Sequence, residues 1–253
     1  MGNQQIGIAA ELIRHASQIV AFTGAGISTP SGIPDFRSPQ SGLWHDVDPM
    51  AVASLVGFRQ NPQAFFDWIY PLTHLIVHAQ PNLAHLALAQ LERYHKLHAV
   101  ITQNIDMLHT RAGNSVIHEL HGHLREATCI HCFTVYQAEP IIARFLQDRR
   151  VPICQRCGHV VKPNVILFGE QLPVQPLIAA QNAARQCDLM IIIGSSLEVA
   201  PASSLPVLAK RAGARLIIIN LEPTPADEMA EVVIHANVAE VLPKIVACLE
   251  KIL

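Results

Sequence analysis

The chain has 253 residues, half of them hydrophobic and 15% charged, with a formal net charge of −2. Such a length carries one large domain or a large domain with a small insert, and the near-neutral charge supplies no electrostatic footprint for nucleic acid. No run reaches 18 apolar residues and no basic stretch leads into an apolar one at the N-terminus, so the expectation is a cytoplasmic protein with no membrane span.

A helical pattern at about 5–17 precedes a strand at Ile19–Phe22, which runs into Thr23-Gly24-Ala25-Gly26-Ile27-Ser28. Glycines after a strand let backbone N–H groups approach a pyrophosphate, although a plain tight turn would use the same residues. The third glycine of the dinucleotide fingerprint is missing, and Pro30, Gly32 and Pro34 stop any long helix, which argues against a hydride-transfer enzyme. The chain opens instead into a loop carrying an acid, an aromatic and a base: Asp35, Phe36 and Arg37.

Leucines and alanines at three- and four-residue spacing predict a helix over Leu83–Tyr94 capped by Asn82. Further strands are predicted at Ala99–Thr102, Val116–Glu119, Asn164–Phe168, Leu189–Gly194, Arg215–Asn220 and Val232–His235, with helices at about 174–186, 201–212 and 238–252. This alternation predicts an α/β fold: an open parallel Rossmann-like sheet with a smaller second lobe, made of a zinc-ribbon insert and a helical insert. The expected division is 1–36, 81–124 and 163–253 for the nucleotide-binding domain, 37–80 for a cofactor loop and helical insert, and 125–162 for the metal-binding insert.

Asn104 and Asp106 follow a strand, at the edge of an open sheet where ligands collect, though Asp106 equally fits an N-cap of a helix entering at Met107-Leu108. Among fourteen histidines, His118, His121 and His123 cluster. His121 follows a strand end and precedes Gly122, where a near-neutral imidazole can project into a cleft as a general base.

Two Cys-x-x-Cys knuckles, Cys129/Cys132 and Cys154/Cys157, are spaced to close a tetrahedron around one zinc. Four thiolates leave no position for a catalytic water, so the ion is structural. The alternative is a redox dithiol. The isolated Cys187 and Cys248 fit a reducing compartment. In the last third, Val165–Phe168 reads as a core strand, Gly194, Ser195 and Ser196 follow an apolar strand, and Asn220 and Glu222 end another, unless they form a solvated turn before Pro223 and Pro225.

Taken together, Gly24-Ala25-Gly26-Ile27-Ser28, Gly32-Ile33-Pro34-Asp35-Phe36-Arg37, Thr102-Gln103-Asn104-Ile105-Asp106, His118-Glu119-Leu120-His121-Gly122, the four cysteines, Lys162-Pro163-Asn164-Val165, Phe168-Gly169-Glu170 and Gly194-Ser195-Ser196-Leu197 resemble a sirtuin, an NAD-dependent protein-lysine deacylase. The resemblance implies NAD as co-substrate, held by Gly24, Ala25, Gly26, Ser28, Gln103, Gly194, Ser195, Ser196, Asn220 and Glu222, with Asp35, Phe36 and Arg37 folding over it. Asn104 and Asp106 would hold the nicotinamide ribose and a water. His121 would take a proton from a ribose hydroxyl after the acyl oxygen displaces nicotinamide, and water would release free lysine and O-acetyl-ADP-ribose.

The implied partner is an acetylated-lysine segment bound as an extended peptide between Phe168-Gly169-Glu170 and Leu197-Glu198-Val199, beside Val165. One structural Zn2+ is implied. Members that prefer acidic acyl groups pair a Tyr with an Arg three residues later; the nearest counterpart, Tyr70 and Thr73, lacks that cation, so acetyl and longer neutral groups are expected. Competing readings are an ADP-ribosyltransferase using the same pocket, a non-catalytic NAD or ADP-ribose sensor, and a zinc-ribbon adaptor.

Overall fold

The computed structural model describes residues 2–35 and 47–252. Short, β-branched runs make the large sheet: Ile19–Thr23 (β1), Leu97–Thr102 (β2) and Ile117–Glu119 (β3), then, after a second sheet of Gly122–Cys129 (β4), Val135–Gln137 (β5) and Val161–Val165 (β6), the strands Leu189–Ile193 (β7), Arg215–Asn220 (β8) and Val232–His235 (β9). The large sheet has the order β3-β2-β1-β7-β8-β9 and is parallel throughout.

The helices are Gly2–His15 (α1), Pro49–Val52 (α2), Leu55–Gln60 (α3), Pro62–His78 (α4), Leu83–Arg93 (α5), Leu108–Ala112 (α6), Ala138–Asp148 (α7), Val174–Gln186 (α8), Leu205–Arg211 (α9) and Val238–Glu250 (α10). Alternation along each strand divides the core. Ile19, Ala21, Ile191, Ile193, Ile217 and Ile219 pack with residues of α1, α5 and α10, whereas Val20, Phe22, Met190, Ile192, Leu216 and Ile218 pack with α8 and α9. Both faces being covered explains why these strands read as unbroken apolar runs. Asn82 caps α5 as predicted, accepting from the Ala84 amide at 2.9 Å.

Chain direction around the sheet reverses between β1 and β7, which places a switch-point crevice at their carboxyl ends. The other ends of these strands are fastened by Asp188, whose carboxylate accepts from the Ser17 and Gln18 amides at 2.7 and 2.9 Å, residues 171 and 170 positions away.

One strand departs from expectation. The segment predicted at Asn164–Phe168 as part of the parallel sheet is instead Val161–Val165, and it pairs antiparallel with β4 in the order β5-β4-β6. Gly122 sets this up: with φ +78°, a Cβ at that position would lie 2.0 Å from the Asn164 carbonyl oxygen, so the absence of a side chain lets β6 cross immediately after the large sheet ends. Helices α3, α4 and α7 close the smaller lobe through Phe58, Phe65, Phe66, Leu72 and Phe145.

Candidate active site

At the switch point, the turns after β1 and β7 interlock. Gly24 and Gly26 donate their amides to the carbonyls of Ile193 and Gly194 at 3.1 and 2.8 Å. A Cβ on Gly24 would sit 2.7 Å from the Gly194 oxygen, and one on Gly194, whose φ is +60°, would sit 2.3 Å from the Ile27 nitrogen. These glycines are therefore required by contact between the two turns, a reason that a search for phosphate contacts alone does not give. The cleft they border has a volume of about 1290 Å³. That exceeds the range common for small ligands and leaves room for a dinucleotide together with a second substrate.

The turn after β2 is tied into the same corner. Asn104 donates its side-chain amide to the Gly24 carbonyl at 3.0 Å and to Ser28 Oγ at 3.1 Å. Ser28 in turn donates to Asp106 Oδ2 at 2.6 Å, while Asp106 Oδ1 accepts from the Leu108 amide at 2.8 Å. The N-cap of α6 is Met107 rather than Asp106, but Asp106 still braces the start of the helix through the Leu108 amide and holds Ser28 at the same time. Burial raises its pKa, opposed by these two hydrogen bonds. Gln103 reaches across to donate to Ser195 Oγ at 2.9 Å.

Beneath this layer lies a chain that sequence reasoning missed. His109 Nε2 is 2.9 Å from Thr23 Oγ1, Thr23 donates to Thr102 Oγ1 at 2.8 Å, and Thr102 Oγ1 accepts from the Asn104 backbone amide at 3.1 Å. His109 is fully buried, and desolvation drives its pKa down to about 4, so it holds these threonines as a neutral ring. Nothing in the pattern separated it from the thirteen other histidines.

His121 occupies the turn between β3 and β4, half-buried at the cleft wall. Its Nδ1 is 3.0 Å from the Gln103 carbonyl, so Nδ1–H donates and Nε2 keeps its lone pair. Burial lowers its pKa below the ordinary imidazole value, offset in part by that hydrogen bond. The ring is therefore neutral near pH 7, the state a base needs.

Of the other sequence-predicted residues, Gly24, Ala25, Gly26, Ser28, Asp35, Asn104, Asp106, Val165, Phe168, Gly169, Glu170, Gly194, Ser195, Ser196, Val199, Asn220 and Glu222 all border the cleft. Phe36 and Arg37 lie outside the described residues. Leu197 packs its side chain in the core, 9% exposed, with a φ of +57°, while Glu198 and Val199 after it border the cleft.

Two other residues carry work that their expected role did not include. The Phe168 amide and carbonyl already pair with Ala53 and Leu55 at 2.9 Å each, so the backbone of this residue is engaged within the chain. Glu170 Oε2 accepts from Lys162 Nζ at 3.0 Å and from the Leu167 amide at 2.8 Å, which braces the loop.

Helix α4 lines the far wall with Phe65, Trp68, Ile69, Leu72 and Ile76, one face at helical spacing. Tyr70 and Thr73 are not on it. Tyr70 points at the Leu146 carbonyl, at 3.3 Å, beneath the Arg149 guanidinium, and Thr73 is buried beside Phe66 and Leu124 in a separate small cavity. Cleft-facing residues three apart on α4 are Phe65 and Trp68, and Ile69 and Leu72, the second pair one position before Tyr70 and Thr73. Among the described residues the cleft has no Lys or Arg in its lining.

In the small lobe the four knuckle sulfurs converge. Their ligand atoms lie within 4.8 Å of one another, with Cys129 and Cys157 sulfurs 3.4 Å apart and those of Cys132 and Cys154 3.6 Å apart. These separations are close to the ~3.8 Å edge of a tetrahedron with 2.3 Å Zn–S bonds. The Tyr136 hydroxyl is 3.0 Å from the Cys154 sulfur and the Thr134 hydroxyl 3.2 Å from that of Cys132, in position to donate to thiolates. The donor set fits one structural zinc. Cys129→Ser is expected to lose the single equivalent of zinc and to open residues 125–162 to protease; elemental analysis that still finds one equivalent in the variant would contradict this.

Comparison with known proteins matches residues 24–201 to the model of the Sir2 family. An NAD-dependent protein deacylase 2 of Archaeoglobus fulgidus is 47% identical over 243 residues, 96% of this chain and 95% of the relative. An NAD-dependent protein deacetylase of Sulfolobus acidocaldarius is 44% identical over 243 residues, covering 96% and 94%. Among solved structures, one from work on the mechanism and regulation of Sir2 enzymes superposes with a TM-score of 0.94 at 45% identity, covering 99% of this chain and 100% of the other. The structure of Sir2Af2 bound to a myristoylated histone peptide superposes with a TM-score of 0.85 at 40% identity, covering 99% and 98%.

Proposed function

Since the chain belongs to the Sir2 family and is an NAD-dependent protein deacylase, we propose that its chemistry is carried by His121, with Asn104, Ser28 and Asp106 holding the ribose end of NAD and the interlocked turns holding the phosphates. The observation that carries this assignment is the imidazole itself: Nδ1 is committed to Gln103, so Nε2 is the only basic atom it turns to the cleft. NAD supplies an electrophilic ribose carbon and nicotinamide as its leaving group. His121 Nε2 accepts a proton from a ribose hydroxyl, which makes that oxygen a nucleophile toward the acyl carbon. Asn104 spends its amide protons on Gly24 and Ser28, which fixes its orientation and leaves Oδ1 as an acceptor for the ribose or a water. No cationic side chain lines the described cleft, so the phosphates fall to backbone amides of the strand-end turns and to Ser195 and Ser196, with Asn220 and Glu222 at the adenosine end.

The peptide would lie extended along Gly169 and Val199, with Val165 beneath the acyl-lysine stem. We assign residues 1–36, 81–124 and 163–253 to the NAD-binding domain, 37–80 to the cofactor loop and helical insert, and 125–162 to the zinc insert. No helix among the described residues is long and apolar enough to cross a membrane, and we place the protein in the cytoplasm. Mass spectrometry of the products from NAD and an acetyl-lysine peptide tests the function: free lysine, nicotinamide and O-acetyl-ADP-ribose are expected, whereas ADP-ribosylated peptide with the acetyl group intact would refute deacylation.

Acyl preference follows from α4. Burying a carboxylate against Ile69 and Leu72 with no cation opposite leaves its desolvation uncompensated. Succinyl-lysine is therefore expected to show a kcat/KM at least about tenfold below acetyl-lysine on the same peptide, some 1.4 kcal/mol. Equal turnover of the two would show that a cation reaches the acyl pocket.

A further inference from the structure

We propose that His131, His159 and the Cys157 sulfur form a second, solvent-facing site for a zinc-class divalent ion on the rim of the knuckle, sharing one thiolate with the structural zinc. The three ligand atoms lie within 4.8 Å of one another. The two imidazoles are exposed and stacked, with centroids 3.9 Å apart and planes 10° from parallel, set side by side by the pairing of the Ile130 amide with the Val160 carbonyl at 3.1 Å. His159 Nδ1 is 3.1 Å from the Cys157 carbonyl, so its proton is donated there and the Nε2 lone pair is left for a metal, the backbone partnership typical of a ligating histidine.

Cys157 is the sulfur suited to sharing. Cys129 and Cys154 are buried and Cys132 and Cys157 are half-exposed, and of these two Cys157 is the one whose sulfur lies with the two histidines. A zinc held by four thiolates leaves the knuckle negatively charged, which draws a second cation to the outer sulfur lone pair. Two imidazoles and a thiolate select borderline ions such as Zn2+ and discriminate against Mg2+ and Ca2+, which need oxygen donors. Binding requires the two exposed rings to turn out of their stack so that their in-plane nitrogen lone pairs converge on one ion, with water in the remaining position.

The test uses tag-free protein prepared with one equivalent of zinc and then titrated with Zn2+ in native mass spectrometry. Wild type is expected to take up a second equivalent that excess Mg2+ does not displace, and the His131→Ala/His159→Ala variant to stop at one while keeping its deacetylation rate. Retention of the second equivalent by the double variant, or a wild type that stops at one, overturns the proposal. Should the double variant fail to hold its first zinc, His159→Gln alone carries the same comparison.

Discussion

Replacement of His121 by alanine is expected to lower kcat/KM for deacetylation by about 10³-fold, within the range general-base catalysis contributes, while the affinity for NAD stays within about twofold of wild type. The separation follows from position. His121 sits between β3 and β4 and its imidazole hydrogen-bonds to the Gln103 carbonyl, whereas the residues proposed to hold NAD are braced by one another through Ser28, Asn104 and Asp106. The pH profile adds a second signature. Burial holds the His121 pKa below the ordinary imidazole value, so the base is fully present at neutral pH and is lost as pH falls through that lowered value. Wild-type kcat/KM should therefore show an acidic limb below about pH 6.5 that is missing from the residual activity of the variant. An alanine variant that turns over within tenfold of wild type would remove His121 from the mechanism.

Gly194→Ala is the second large effect. At φ +60° any side chain is strained, and here its Cβ would lie 2.3 Å from the Ile27 nitrogen and 2.5 Å from the Gly26 carbonyl carbon, atoms of a turn that is itself hydrogen-bonded back to β7. Neither turn can yield without breaking the bonds that join them. A destabilisation of about 3 kcal/mol or more is expected, roughly a 10 °C fall in Tm for a chain of this size, together with loss of NAD binding. Gly213→Ala is the control. Its φ is +102°, but a Cβ there meets nothing within 4 Å, so only the backbone cost of about 1–2 kcal/mol applies and NAD binding persists. Thermal unfolding and NAD titration of the two variants side by side make the comparison; equal effects would mean that backbone strain, not interlocking, sets the requirement at Gly194.

Much of the large sheet was legible because its strands are buried on both faces, and a run such as Leu189–Ile193 has no polar residue to blur it. The zinc knuckles were legible because ligand spacing is a local property. The small lobe was harder to read. β6 starts at Val161 and includes Lys162 and Pro163, which lie before the strand predicted from Asn164, and it is a strand because β4 lies beside it after a left-handed Gly122. The aromatics of α4 could be read from sequence as a channel lining or as core, and the fold divides them: Phe65, Trp68, Ile69, Leu72 and Ile76 border the cleft while Tyr70 and Thr73 turn away from it. The Thr23, Thr102 and His109 chain was invisible for a different reason: its members come from three elements, and only the fold brings their polar atoms together.

The clasp that Asp188 makes on Ser17 and Gln18 bears on how the chain is made. β1 lies inside the sheet, yet one of its two neighbours, β7, lies about 170 positions later, so during synthesis the first strand must wait with one apolar edge unpaired until those residues have emerged. An open, β-branched edge of that kind templates pairing with other nascent chains. The nucleotide pocket, which straddles the same seam, closes only once β7, β8 and the start of α10 have followed. Dinucleotide added to a refolding or cell-free reaction would accordingly raise the yield of native protein by capturing the closed seam, not by speeding the early formation of β1 and β2.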